Sequence, residues 1–103
     1  MLVYTAHCFG GNPENIKRAA QITHDLQLAD PDNTYICPLL AFGHLKYNEL
    51  GYEKEIQLCI DLLSECMEMV VASEISKGVQ IEIDYCTKWN IPIRYLHAPT
   101  SAQ

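Results

Sequence analysis

The feature that most restricts the fold of this chain is the regular exchange of short apolar runs with longer segments of helical period. Leu2-Val3-Tyr4-Thr5-Ala6 is an apolar run of strand type, and it ends at His7-Cys8-Phe9-Gly10-Gly11, where paired glycines permit a tight turn. Asn12-Pro13-Glu14 follows as an N-cap, a proline at the first helical position and an acidic first turn. This predicts a helix to about Ala29 with Ile16, Ala19, Ala20, Ile22, Thr23 and Leu26 on its apolar stripe. Asp30-Pro31-Asp32-Asn33 stops that helix, and Thr34 to Cys37 before Pro38 reads as a second strand. Residues 38–51 read as a loop carrying Phe42, His44 and Tyr47. A second helix fits about Tyr52 to Met67, a buried-type strand Glu68 to Ala72, a third helix about Lys77 to Asn90, and a last strand Ile91 to Leu96.

Strand and helix alternate throughout, which predicts a parallel sheet of about four strands with helices on both faces. The expected architecture is a small Rossmann-like or flavodoxin-like three-layer α/β domain. At 103 residues the chain has room for one such domain, taken as residues 1–97, with 98–103 as a loose tail. In this architecture ligands sit at the carboxyl ends of the strands. Those ends lead into residues 7–12, 38–51 and 73–78.

Composition removes several functional classes. The formal net charge is -6, and the seven Lys and Arg are scattered singly, so a nucleic-acid polymer finds no basic patch. The five cysteines are odd in number, lack Cys-x-x-Cys spacing and fall mostly in apolar runs. They read as reduced core thiols of a cytoplasmic protein, with neither disulfides, a metal site nor a cofactor expected. No basic stretch precedes an apolar run at the N-terminus, and no segment approaches the roughly 18 apolar residues of a membrane span. A membrane partner is therefore not expected.

Two carboxylates fall where helical periodicity calls for apolar side chains. On the third helix Ile81, Tyr85, Trp89, Cys86, Val79 and Ile83 form one apolar arc, and Glu82 lies inside it. On the second helix Glu55 is the acid on a side otherwise formed by Tyr52, Ile56, Leu58, Cys59, Ile60, Leu62, Leu63 and Cys66. A carboxylate is costly to bury unless something uses or satisfies it. Two acids near helix beginnings can serve one pocket as nucleophile and as proton donor or positioning group. A neighbouring loop's amides would equally satisfy Glu82, and the helix dipole would equally account for Glu55. His7 and His44 stand at strand-end loops, where an imidazole can contact a phosphate or donate a proton. Solvated or structural roles are the alternative for both.

Ser76-Lys77-Gly78-Val79-Gln80-Ile81-Glu82 has the pattern Ser-x-Gly-x-x-x-Glu at a strand-to-helix junction. It resembles the nucleoside 2-deoxyribosyltransferases and the related deoxynucleoside 5′-monophosphate N-hydrolases. The order of Val3-Tyr4-Thr5-Ala6 before a Phe-Gly loop, Asn15-Ile16, Cys37-Pro38, Cys66 before an apolar strand and Ile91-Pro92-Ile93 is similar to that superfamily over about residues 2–96. The likeness is greatest to its small members in phages and bacteria. The resemblance implies that Glu82 attacks the anomeric carbon of a nucleoside or nucleotide, giving a glycosyl intermediate resolved by water or another base. It implies that Ser76 and Gly78 contact the 5′ end of the ligand, which suits exposed amides at a helix N-terminus. It also implies that Phe9, Gly10 and Gly11 wrap the base and sugar.

Family enzymes carry an aspartate seven residues before the position of Cys66. Here that position is Cys59, and Glu55, one turn earlier, is the candidate to take its place. The preferred expectation is an enzyme acting at the N-glycosidic bond. Its competitor is a non-catalytic protein that sequesters a nucleotide or nucleotide-derived signal, and a structural or assembly role comes third. A domain this small offers a shallow pocket, so a homo-oligomer whose neighbour helps close the site is expected.

Overall fold

The computed structural model describes residues 1–96; His97 and the tail expected from residue 98 lie outside the described residues. Strands β1 (Leu2–Ala6), β2 (Thr34–Ile36), β3 (Glu68–Val71) and β4 (Ile93–Tyr95) alternate with helices α1 (Pro13–Ala29), α2 (Pro38–Ala41), α3 (Tyr52–Leu63) and α4 (Lys77–Trp89). The strands form one sheet in the order β2-β1-β3-β4, and each neighbouring pair is parallel. This is the small Rossmann-like or flavodoxin-like domain that the alternation predicts. The chain leaves β1 on one side to reach β2 and returns past it to β3, so the winding reverses between β1 and β3. Their carboxyl ends form the crevice where such folds bind ligands.

Side-chain alternation along the strands builds two unequal cores. Tyr4 and Ala6 of β1 and Met69 and Val71 of β3 pack with Leu63, Cys66, Val79, Ile83 and Cys86. Val3, Val70 and Tyr35 face the other way in a smaller cluster with Leu26 of α1. Every strand except short β2 and β4 is therefore buried on both faces, which is why β3 reads as a continuous apolar run.

Helix starts follow local chemistry. Asn12 Oδ1 accepts from the Glu14 amide at 3.0 Å, as capping requires, and Ser76 Oγ accepts from the Val79 amide at 3.2 Å. Asn90 closes α4 in the left-handed region at φ 58°. Four expectations need correction. Residues 38–41 form the short helix α2 within the expected loop; Pro38 presets its first turn, but four residues leave no readable period. Helix α3 stops at Leu63 instead of Met67, because Glu65 and Cys66 turn back onto the Leu62 and Leu63 carbonyls. Strand β4 spans Ile93–Tyr95 only, since Pro92 lacks the amide a strand needs. The buried stripe of α4 is Val79, Glu82, Ile83 and Cys86, narrower than the expected arc; Ile81 and Tyr85 flank it and Trp89 is 59% exposed.

Candidate functional site

The main cavity, about 360 Å³, opens at the carboxyl ends of the strands on the α3/α4 side of the sheet. Its wall joins the end of β1 (His7, Phe9, Gly10), the start of α2 (Pro38, Leu39), the first turns of α3 (Tyr52, Glu55, Ile56, Cys59) and the N-terminus of α4 through Glu82. Tyr47 reaches it from the connecting loop. A smaller cavity of about 90 Å³ adjoins it and shares Phe9, Pro38, Leu39, Tyr47, Glu55 and Cys59. The lining is mostly apolar with few polar groups, as in small-molecule sites generally.

Glu82 lies in the second turn of α4 and is 5% exposed. Its partner is not a loop amide but the hydroxyl of Tyr4, which donates to Glu82 Oε2. Burial pushes the Glu82 carboxyl up to about 7, and the Tyr4 hydrogen bond pulls in the opposite direction by favouring the carboxylate. The Tyr4 hydroxyl is held well above its ordinary range, by burial first and then by the charge of Glu82. Cys59 on the facing helix is pushed up to about 12 by burial and then by the same charge, so it stays a thiol at neutral pH. The site thus pairs an acid that is half ionised near neutrality with two hydroxyl- and thiol-type groups that keep their protons.

The remaining sequence candidates divide. Glu55 lines both cavities, and its Oε2 accepts from the Leu50 amide at 3.0 Å, tying the connecting loop to α3. His7 is 4% exposed and places Nδ1 2.7 Å from the Cys8 carbonyl oxygen. Phe9 lines both cavities and meets the Tyr47 ring edge to face at 5.6 Å, while the Phe9 carbonyl accepts from Asn15 Nδ2 at 2.8 Å. Gly10, with φ 60°, lines the main cavity. Ser76 combines its capping role with a place in the cavity wall. Gly78 is also in the wall; a Cβ there would meet Ile56 Cδ1 at 3.6 Å, an ordinary contact, so close packing does not demand the glycine.

Two candidates are placed elsewhere. Gly11 is not in the cavity wall. Its φ of 78° and the Tyr47 ring, 3.1 Å from where a Cβ would stand, make it a seat for that tyrosine. His44 is exposed, in the loop after α2, and lines neither cavity.

Residue-by-residue reading missed Tyr4, Lys77 and the α2 residues. Tyr4 had a usable signal: it is the one aromatic in the central strand β1, and a buried tyrosine hydroxyl usually finds a hydrogen-bond partner. Lys77, the first residue of α4, lines the cavity and holds its Nζ 5.3 Å from the centre of the Tyr52 ring, which lines it too. Among the described residues, no group of three or more His, Cys, Asp or Glu is arranged to hold a metal, and no helix is long and apolar enough to cross a membrane.

Fold and site together define a small parallel α/β protein with a buried carboxylate at the floor of its switch-point cleft. The chain belongs to the domain family of unknown function DUF7768, whose pattern matches residues 1–96. No curated protein and no solved structure matches it.

Proposed function

We propose that this protein binds a nucleoside or nucleotide and cleaves or transfers at its N-glycosidic bond, with Glu82 as nucleophile. The observation that carries the reading is the burial of the Glu82 carboxylate at the base of the main cavity, with Oε2 bonded to Tyr4. Tyr4 fixes one oxygen, leaving the other to attack the anomeric carbon. In that step the Glu82 oxygen bonds to the sugar while the base leaves with the electron pair of the broken C–N bond and takes a proton. Water or a second base then displaces Glu82 and restores the carboxylate. Glu55, in the same wall, assists as proton donor or positioning group. Ser76, Gly78 and the cation of Lys77, the first residue of α4, suit the 5′ end of the ligand, phosphate included.

A second reading, capture without cleavage by a phage-type protein, is favoured by Cys59. The enzymes that the sequence resembles carry an aspartate at that position, and a thiol pushed up to about 12 offers no carboxylate in its place. Exposed Tyr47 and Tyr52 in the cavity wall support a homo-oligomer whose neighbour closes the site. A cytoplasmic setting, reducing enough to keep five free thiols, belongs to the same proposal.

The test is incubation with ribo- and deoxyribonucleosides, their monophosphates and dinucleotide signals, followed by chromatography for released base. Base release that disappears in Glu82→Ala supports the enzyme, and full release by that variant removes the nucleophile. A ligand recovered intact that raises the melting temperature selects the capture reading.

A further inference from the structure

The smaller cavity has no task in the proposed chemistry. It holds about 90 Å³. That is several times the roughly 10–15 Å³ one water needs, and short of the roughly 150 Å³ of a dry cavity that takes up benzene. Protein interiors contain few voids larger than a water, so this space is room for a group of a few carbons. Half of its wall also belongs to the main cavity, through Phe9, Pro38, Leu39, Tyr47, Glu55 and Cys59. The other half is Ile16 of α1, Leu58 of α3, and Phe42, Gly43, Leu45 and Lys46 after α2. Four of these six have aliphatic or aromatic side chains, Lys46 is exposed, and Glu55 Oε2 already accepts from the Leu50 amide. An apolar group suits such a lining, and an anion does not.

The shared residues also give the space an orientation. Phe9, expected against the base, borders both cavities. Ser76, Lys77, Gly78 and Glu82, assigned to the 5′ end and the sugar, border only the main one. We propose that the two cavities form one bipartite site for a nucleoside or nucleotide carrying an apolar substituent on its base. Sugar and base occupy the main cavity, and the substituent, an alkyl or small aryl group, occupies the smaller one. The inference rests on the nucleoside reading and deepens it by naming the class of base.

Calorimetric titration compares adenosine, guanosine, cytidine and uridine, and their 5′-monophosphates, with forms carrying a straight alkyl chain on an exocyclic nitrogen or a ring carbon of the base. Chains run from methyl to hexyl. At one position affinity should rise about fourfold with each methylene until the smaller cavity is full, and then fall. Leu58→Phe and Ile16→Phe, on two different helices, each enlarge a side chain that borders the smaller cavity alone. In both, the best chain should add less than about twofold over the parent measured on the same protein, with melting curves showing that each variant is folded. Leu45→Ala enlarges the space and should move the optimum to a longer chain. If the parents bind but no chain raises affinity, or if the gain survives undiminished in both phenylalanine variants, the inference fails while the nucleoside reading stands. If the wild type binds neither the parents nor any substituted form, the nucleoside reading fails and takes the inference with it.

Discussion

The molecule contains two tyrosine–carboxylate pairs at opposite ends of its sheet, and their acids are shifted in opposite directions. At the carboxyl ends, Tyr4 donates to Glu82, whose carboxyl is pushed up to about 7 by burial. At the amino ends, Tyr35 donates to Asp30 Oδ2 at 2.7 Å, and Asn33 Nδ2 donates to the same oxygen at 2.8 Å. Asp30 is held below the usual carboxylate range, by Asn33 first and then by Tyr35, with the Arg94 charge adding to it. Arg94 Nη2 also donates to the Tyr35 hydroxyl at 3.1 Å, and Gln27 fastens both Asn33 and Tyr35 through their backbones. The Asp30 carboxylate is partly exposed and has several donors; that of Glu82 is enclosed and, among the described residues, has the Tyr4 hydroxyl as its donor. The same interaction therefore fastens structure at one end and maintains an ionisable group at neutrality at the other.

The largest effect should come from removing the enclosed acid. Glu82→Gln keeps the shape of the side chain and an oxygen for Tyr4, yet cannot attack a sugar. Base release should fall about a thousandfold or more by single-turnover chromatography. Release within tenfold of the wild type would assign the chemistry to another group. If Glu82 attacks as the carboxylate, wild-type activity should rise as pH passes about 7.

The second effect is on stability and has an unusual sign. Because the folded carboxyl sits near 7 and the unfolded one near 4.5, the unfolded chain ionises first as pH rises. Folding stability should fall between those values by about 3 kcal/mol in this contribution and level off above them. Asp30, lowered in the folded state, acts oppositely, and its contribution is lost as pH falls. Urea unfolding at pH 5 and pH 8 checks the balance: Glu82→Gln should abolish the loss at pH 8 and be the more stable protein there. Equal pH dependence of variant and wild type would mean that Glu82 ionises freely.

Glu82 was legible from sequence because a helix has a sharp period, and an acid inside an apolar arc stands out in it. Its partner was not, since the strand period places Tyr4 on a face without showing which helix side chain reaches its hydroxyl. The alternating elements likewise revealed the parallel sheet, whereas α2 was too short to show a period. Loops have none at all: His7 and His44 look equivalent beside strand ends, but one is enclosed at the β1 terminus and the other faces solvent. The narrower stripe of α4 has a related cause, because residue types show which side is apolar and not how far the neighbouring layer extends over it.

Tyr4→Phe should give the third effect. Among the described residues it removes the donor that favours the charged form of Glu82, so the carboxyl moves higher and the pH–stability decline moves with it. A loss of about 1–2 kcal/mol above pH 8, with little change at pH 5, is expected from paired unfolding curves. A uniform loss at both values would make the hydroxyl a packing group and no more.

Tyr35→Phe should be the mildest, and it completes the comparison. The hydroxyl it removes bridges Asp30 and Arg94, but Asp30 keeps Asn33 and Arg94 keeps its 3.8 Å approach to Glu68. The partners keep these other contacts and the Asp30 carboxylate is partly exposed, so destabilisation of about 1 kcal/mol is expected. Asp30 should titrate at higher pH than in the wild type, seen by carboxyl carbon-13 shifts, while Glu82 does not move. A shift at Glu82 in this variant would mean that the two ends of the sheet are coupled through the strands, and that the independence of the two pairs is wrong.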